Sequence, residues 1–284
     1  MPADSVSRTG ARRTPVVDAH CHAGDGDGLT GPWDTSAPLD DYLRRAGAAG
    51  ITHTVLFAAF SSDYAKANRQ VAEIVARERN RFTGFAFVHP QHDRGRVADI
   101  VGRAVRDYGF AGIKVHRHDG RLTREVLDVA GALRLPVLYD PMGDVAPLEM
   151  MASAYPKVAL IVPHLGSFAD DWAAQRGFLD ILARHRNVFA DTSGVRRFDL
   201  LVEAVRRAGP SRIIYGTDGP WLHPGLELAK VRLLGLPPAD EALVTGGNIL
   251  RLIRRRRTTA ASGPAPAGEP RPLPHPDDPW RRAG

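Results

Sequence analysis

One pattern constrains this chain more than any other: a short apolar run followed by a stretch of helical periodicity, recurring along most of its length. The apolar runs occupy residues 16–20, 53–58, 83–88, 112–116, 136–140, 159–164, 188–192 and 212–218. Between them, residues 39–49, 66–78, 97–108, 124–133 and 200–208 repeat apolar side chains at the spacing that gives a helix one buried face. Alternating strands and helices predict a parallel sheet covered by helices. Eight such units fit an α/β fold of the (β/α)8 TIM-barrel type. A doubly wound open sheet is the rival architecture. It normally opens on a glycine-rich phosphate turn, whereas the first strand here carries histidines. With 284 residues and 43% hydrophobic content, the chain can bury a core of that size.

Beyond the eighth unit, residues 236–252 read as one extra C-terminal helix, with Asp240 and Glu241 near its start. Arg254, Arg255, Arg256 and Arg257 then fall at its C-terminal end, where cations suit the helix dipole. From Thr258 onward Pro, Gly and charge dominate, which predicts a disordered tail. The expected organisation is a disordered segment over 1–13, a barrel domain over 14–257 and a disordered tail over 258–284.

The net charge of +6 invites a nucleic-acid partner, but much of it sits in that arginine run. No aromatic residues are interleaved there to stack on bases, so no nucleic-acid partner is expected. No apolar run approaches the roughly 18 residues of a membrane span, and residues 1–14 lack the apolar centre of a secretory signal. Cys21 is the single cysteine and cannot form an intramolecular disulfide, in keeping with a cytoplasmic enzyme. The partner expected is a small molecule, with a homodimer left open.

The chemistry collects where the strands end. The first ends in Asp18-x-His20-x-His22, whose period of two puts the three side chains on one face and turns Cys21 away as a small buried residue. Lys114 and His116 close the fourth strand, Asp140 the fifth, His164 the sixth and Asp218 the eighth. In this barrel the C-terminal strand ends form one mouth, so these groups converge on one pocket. His89, before Pro90, and Arg117 are candidate wall residues. His118 reads as solvated in a polar loop, and Arg196 and Arg197 as either a carboxylate clamp or a solvated helix start. His53, His185, His223 and His275 have no convergent partner. The glycine-bearing segment 23–37 is long enough to close over the mouth.

At these residues the chain resembles the amidohydrolase superfamily, in the amidohydrolase-related branch that holds the aminocarboxymuconate-semialdehyde decarboxylase type. The matching pieces are Asp18-Ala-His20-Cys-His22, Gly112-Ile-Lys114-Val-His116, Leu135-Pro-Val-Leu-Tyr-Asp140, Pro163-His164-Leu-Gly166, Asp191-Thr-Ser193 and Tyr215-Gly-Thr-Asp218. Gly246-Gly-Asn248-Ile-Leu250 matches the closing helix. The resemblance implies that His20, His22 and Asp218 bind a metal, that Asp218 also takes a proton from the bound water, and that His164 sits near the reacting group. One position departs from the pattern: Asp140 stands where the family usually has a histidine ligand. As a carboxylate it can still bind metal, favouring Mn2+ or Fe2+ over Zn2+ more than a histidine does. His116 is an alternative replacement ligand, and a turn residue before Pro141 is the alternative reading of Asp140.

The expected cofactor is therefore one divalent metal, with Zn2+ first and Mn2+ or Fe2+ as alternatives. Asp218 and His164 are the expected catalytic residues; His20, His22, Asp218 and Asp140 the metal ligands; Lys114, His116, Arg117 and Arg196 the substrate contacts. Two neutral imidazoles and a carboxylate leave a coordination position where a water can be acidified towards neutral pH. The leading expectation is a metal-dependent hydrolase that cleaves an amide, ester or lactone of a small molecule, a carboxylate by the basic groups around the pocket. The alternatives are a non-oxidative decarboxylase of an unsaturated or aromatic acid, and a barrel that has lost catalysis and serves as a binding protein.

Overall fold

The computed structural model describes residues 15–28, 36–169 and 171–260. In chain order the elements are β1 (Val16–Asp25), β2 (Ser36–Ala37), α1 (Asp40–Ala49), β3 (Ile51–Ala58), α2 (Tyr64–Arg77), β4 (Phe82–Gly84), β5 (Ala86–Phe87), α3 (Val97–Asp107), β6 (Ile113–His116), α4 (Arg124–Leu133) and β7 (Val137–Asp140). There follow α5 (Ala146–Ala154), β8 (Leu160–Val162), α6 (Trp172–Arg184), β9 (Val188–Asp191), α7 (Phe198–Ala208), β10 (Ile213–Ile214), α8 (Pro224–Arg232), α9 (Pro238–Ala242) and α10 (Asn248–Ala260).

The strands pair in the orders β2-β1-β3-β4 and β10-β9-β8-β7-β6-β5, and all but β2 run parallel. Two seams join these sheets into a barrel. At one, β4 and β5 are halves of the third barrel strand: the Phe85 N–H donates back to Leu56 O (2.8 Å) and the Ala86 N–H forward to Gly112 O (2.9 Å). At the other, the Ala19 N–H donates to Tyr215 O (3.0 Å) and the Gly219 N–H to His20 O (3.2 Å), with Cys21 bridging Gly219 in parallel. The eight expected strands are thus all present: β1 and β3 extend beyond their apolar runs, and the others are shorter than or offset from theirs by a few residues.

The barrel strands are buried along nearly their whole length, because side chains inside fill the barrel and those outside meet helices. Helix starts are set locally. Asp63, Thr123 and Asp171 accept from the Lys66, Val126 and Ala174 N–H groups at the N-termini of α2, α4 and α6. The helices α5, α6 and α8 complete the outer ring where the sequence reading named none. In α5 the nine residues are nearly all apolar or small, which blurs the helical period.

The closing helix differs from expectation. It starts at Pro238 and continues to Ala260, and within it residues Leu243–Gly247 widen into a π-helical turn between α9 and α10. The π turn packs on the start of β1: a Cβ on Gly246 would stand 2.1 Å from the Pro15 carbonyl oxygen. The same turn presents Val244 O to the Tyr215 N–H (3.0 Å). Residues 258–260, assigned to the tail, are helical. Residues 1–14, 29–35, 170 and 261–284 lie outside the described residues, and with them the expected N-terminal segment, most of the tail, His275 and the middle of the first loop. Among the described residues no helix is long and apolar enough to cross a membrane.

Candidate active site

The first strand departs from strict alternation. Asp18 pairs with Thr54 but Cys21 with Leu56, so β1 advances three residues against two on β3 through a bulge. Asp18 accordingly leaves the company of His20 and His22. Its Oδ1 accepts from the His20 N–H (3.0 Å) and the Thr217 N–H (2.9 Å), and its Oδ2 from the Tyr42 and Thr217 hydroxyls (2.5 Å each). Burial pushes this carboxyl up to about 7 against four donors that favour its ionised form. Asp18 thereby fastens β1 to α1 and to the segment after β10.

His20 and His22 are both buried, and each has one ring nitrogen committed. The His20 Nδ1–H donates to Asp191 Oδ2 (2.7 Å) and the His22 Nδ1–H to the Ala58 carbonyl (2.8 Å). Both partners only accept, so Nδ1 carries the proton in each ring and both Nε2 lone pairs face inward. Those atoms stand 3.2 Å and 3.8 Å from Asp218 Oδ1. Among the described residues, His20, His22 and Asp218 are the one group of three whose ligand atoms lie within 4.8 Å of one another. Burial, with Lys114 adding to it, holds His22 well below the usual imidazole range and so neutral. Burial opposes ionisation of Asp218, but its histidine neighbours, His20 foremost with Nε2 at 3.2 Å and His164 behind it, hold the carboxyl below the usual range in the metal-free protein. With Nε2 deprotonated, the two oriented imidazoles and the carboxylate fit a divalent metal ion.

Asp191 and Ser193 carry no role in the sequence pattern beyond the Asp191-Thr-Ser193 piece itself. Asp191 is fully buried, orients His20, and accepts from the Ser193 N–H (2.8 Å). The signal that could have found it is the one that found the others: a polar residue ending an apolar strand, here β9.

Asp140 lies outside the converging triplet and forms its own cluster. Its Oδ2 is 3.2 Å from His116 Nε2 and 3.4 Å from His164 Nε2, and its Oδ1 accepts from the Met142 N–H (2.8 Å). The two histidines differ in charge. His116 Nδ1 accepts the His118 N–H (3.1 Å), so a neutral ring can donate from Nε2. His164 Nδ1 donates to the Ser193 carbonyl (2.6 Å) while its Nε2 faces the carboxylate, and two acceptors call for an imidazolium. Burial lowers the affinity of His164 for a proton, but the Asp140 hydrogen bond and charge, with Asp218 and Asp191 behind, raise its pKa to about 9. Burial likewise opposes ionisation of Asp140, and His116 and His164 overcome it, leaving the carboxyl well below the usual range. The backbone supports this placement at a cost: His164 (φ 58°), Leu165 (φ 50°) and Asp218 (φ 58°) occupy the left-handed region.

These groups open into a cavity of about 560 Å3. Its walls are largely apolar: Phe60, Met142, Phe168, Trp221 and Leu222, with Lys114, His116 and His118 among the polar lining. His118 is thus a wall residue, not merely a solvated one, because the turn after β6 carries it to the mouth. The structure does not bring Arg117 or Arg196 to the cavity. Arg117 pairs with Asp144 (3.3 Å), and Arg196 donates to the Phe168 carbonyl (3.0 Å) behind the Phe168 ring. His89 does not line it either: its Nδ1 accepts the Gln91 and His92 N–H groups, and its ring stacks on His92.

Residues 17–255 match the family model described as Amidohydrolase, and the chain belongs to that family. Solved structures share the fold at low identity. A 5-carboxyvanillate decarboxylase from Sphingomonas paucimobilis is 16% identical with a TM-score of 0.68, covering 85% of this chain and 99% of its own. A dihydroxybenzoic acid decarboxylase from Polaromonas sp. JS666, with bound manganese and 2-nitroresorcinol, is 18% identical with a TM-score of 0.64, covering 85% and 97%. A protein described as a 2-pyrone-4,6-dicarboxylic acid hydrolase from Pseudomonas putida is 18% identical with a TM-score of 0.64, covering 84% and 97%. No curated protein matches the chain.

Proposed function

We propose that this protein is a metal-dependent enzyme acting on a small, largely apolar carboxylic acid, and that its reaction is non-oxidative decarboxylation. The observation that carries the reading is the pairing of two unlike sites on one apolar cavity. One is the His20–His22–Asp218 triplet, suited to a divalent cation; the other is His164, held as an imidazolium by Asp140. A divalent ion in the triplet would supply a Lewis acid for a substrate oxygen. Phe60, Phe168 and Trp221 offer flat faces to a planar body. As the carbon–carboxylate bond breaks, its electron pair stays on the ring or alkene carbon and CO2 leaves. His164 delivers its Nε2 proton to that carbon and is reprotonated from solvent. The similar decarboxylases support this choice over the hydrolase expected first, as does a charged His164, which is placed to give a proton rather than take one.

Hydrolysis of a lactone or ester remains the second reading. Asp218, beside two imidazoles, is favoured for it as an acceptor for a proton from water. The test is a panel of aromatic hydroxy-acids and lactones supplied to protein loaded with Mn2+ or Zn2+ in deuterium oxide. Release of CO2 with deuterium at the vacated carbon is the expected result, abolished by His164→Gln and by His20→Ala. Acid release from a lactone without CO2 would replace the first reading with the second.

A further inference from the structure

Lys114 is fully buried, and its ammonium has no hydrogen-bond partner among the described residues. Its recorded neighbour is the face of Phe57, with Nζ 4.8 Å from the ring centre. A cation–π contact replaces only part of the hydration that an ammonium gives up on burial. The carboxylates whose charge it feels do not relieve it. Asp140 is held by His116 and His164, Asp218 faces His20 and His22, Asp191 is bonded to His20 and the Ser193 N–H, and Asp119 accepts from the Tyr64 hydroxyl. A folded chain keeps such a group where something outside the chain completes it.

Its position says what that something is. Strand parity on β6 puts Lys114 and His116 on the barrel interior, and both line the cavity. Phe57, on which the ammonium rests, is in ring contact with His20 and His22, so Nζ stands on the cavity floor beside the triplet. Three hydrogen-bond donors are offered there, under an apolar chamber. Arg117 and Arg196, the other cations considered for the substrate, are not among the residues that line the cavity.

We infer that Lys114 is the subsite for an anionic oxygen of the substrate, a carboxylate or phenolate distinct from the group held by the metal triplet. The inference rests on the proposed function in taking the ligand of this cavity to be a small acid. It adds that the acid carries a second anionic oxygen on the Lys114 side. In a decarboxylation that oxygen is placed to gather the electron density left behind as CO2 departs, which the ammonium stabilises without a reorganisation of solvent.

The test is calorimetric binding of benzoate, 4-nitrophenolate and neutral benzamide to wild type and Lys114→Met, each with Mn2+ and after stripping with EDTA. The expected result is that Lys114→Met weakens binding of at least one anion about tenfold or more, with or without metal, and changes benzamide less than about twofold. The anion that loses affinity identifies the source of the oxygen. Removing an unpartnered buried ammonium should also raise the melting temperature of the ligand-free protein by roughly 2–4 °C. A lysine that only held the fold together would give the opposite shift. Equal anion affinities in the variant and a wild type that binds them would overturn the Lys114 subsite alone. A wild type that binds neither anion, in either metal state, would overturn both it and the small-acid reading.

Discussion

Asp140 shows how one side chain can redistribute charge in a pocket. A histidine at this position would bring a third nitrogen donor towards the triplet, whereas the carboxylate turns to His116 and His164. The pair gives a signed dependence on pH. The pKa of His164 is raised from 6.5 to about 9 in the folded chain, so the stability it contributes is fully present below pH 6.5 and is lost as pH rises through about 9. Asp140, lowered instead, contributes stability that is present above its ordinary value of 3.8 and is lost as pH falls below it. Melting of the metal-free wild type should therefore weaken between pH 6.5 and 9.5. Asp140→Asn should flatten that alkaline fall and cost roughly 3 kcal/mol near neutral pH, as breaking a buried ion pair does. Its bound metal should stay within about twofold of wild type, since the triplet closes without it. Loss of the metal in Asp140→Asn would instead restore Asp140 as a ligand.

At the scale of elements, the site is set by how strand ends meet. The bulge in β1 separates Asp18 from His20, and β9 and the segment after β10 come close enough that no side chain fits between them at Gly216. A Cβ there would lie 2.3 Å from Asp191 Oδ1. Asp191 orients His20, so an intrusion at Gly216 is transmitted to the candidate ligand through a single hydrogen bond. Gly216→Ala should cost about 1–3 kcal/mol through overpacking. It should also weaken metal binding on the order of tenfold, as loss of a ligand's supporting partner does. Thermal melts and metal titration of the same variant read both effects. Unchanged metal affinity in a destabilised protein would show that Asp191 does not act through His20.

Across the whole molecule, the candidate ligands come from the first strand and from the segment beyond the last. His20 and His22 belong to β1 and Asp218 follows β10, the two sides of the barrel's final seam. An ion bound there would tie the ends of the barrel together as well as serve chemistry. Mn2+ or Zn2+ at about a hundredfold over its dissociation constant should stabilise the EDTA-stripped protein by about 2.7 kcal/mol. For a chain of this size that is a rise in melting temperature of roughly 5–10 °C. His20→Ala should abolish the rise; an equal rise in that variant would place the ion elsewhere.

The barrel was legible in the chain because its parallel strands are buried on both faces and so remain apolar along their length. Most of the converging residues were legible for a related reason, since a polar group ending an apolar strand points at the mouth. The helix α5 was not, because a nearly uniform apolar composition carries no period, nor was the π turn in the last helix, where Gly246 approaches Pro15. The direction of each side chain belonged to tertiary structure alone. A one-residue bulge removed Asp18 from the face it shared with His20, and contacts with the ends of the two neighbouring strands turned Asp140 to His116 and His164. Arg117 was drawn to Asp144 and Arg196 to the Phe168 carbonyl, while Lys114 was left within the cavity without a hydrogen-bond partner among the described residues. Residue type and spacing along the chain determined which groups could meet; which proton, charge and partner each one holds depended on neighbours many tens of residues away, which no local pattern records.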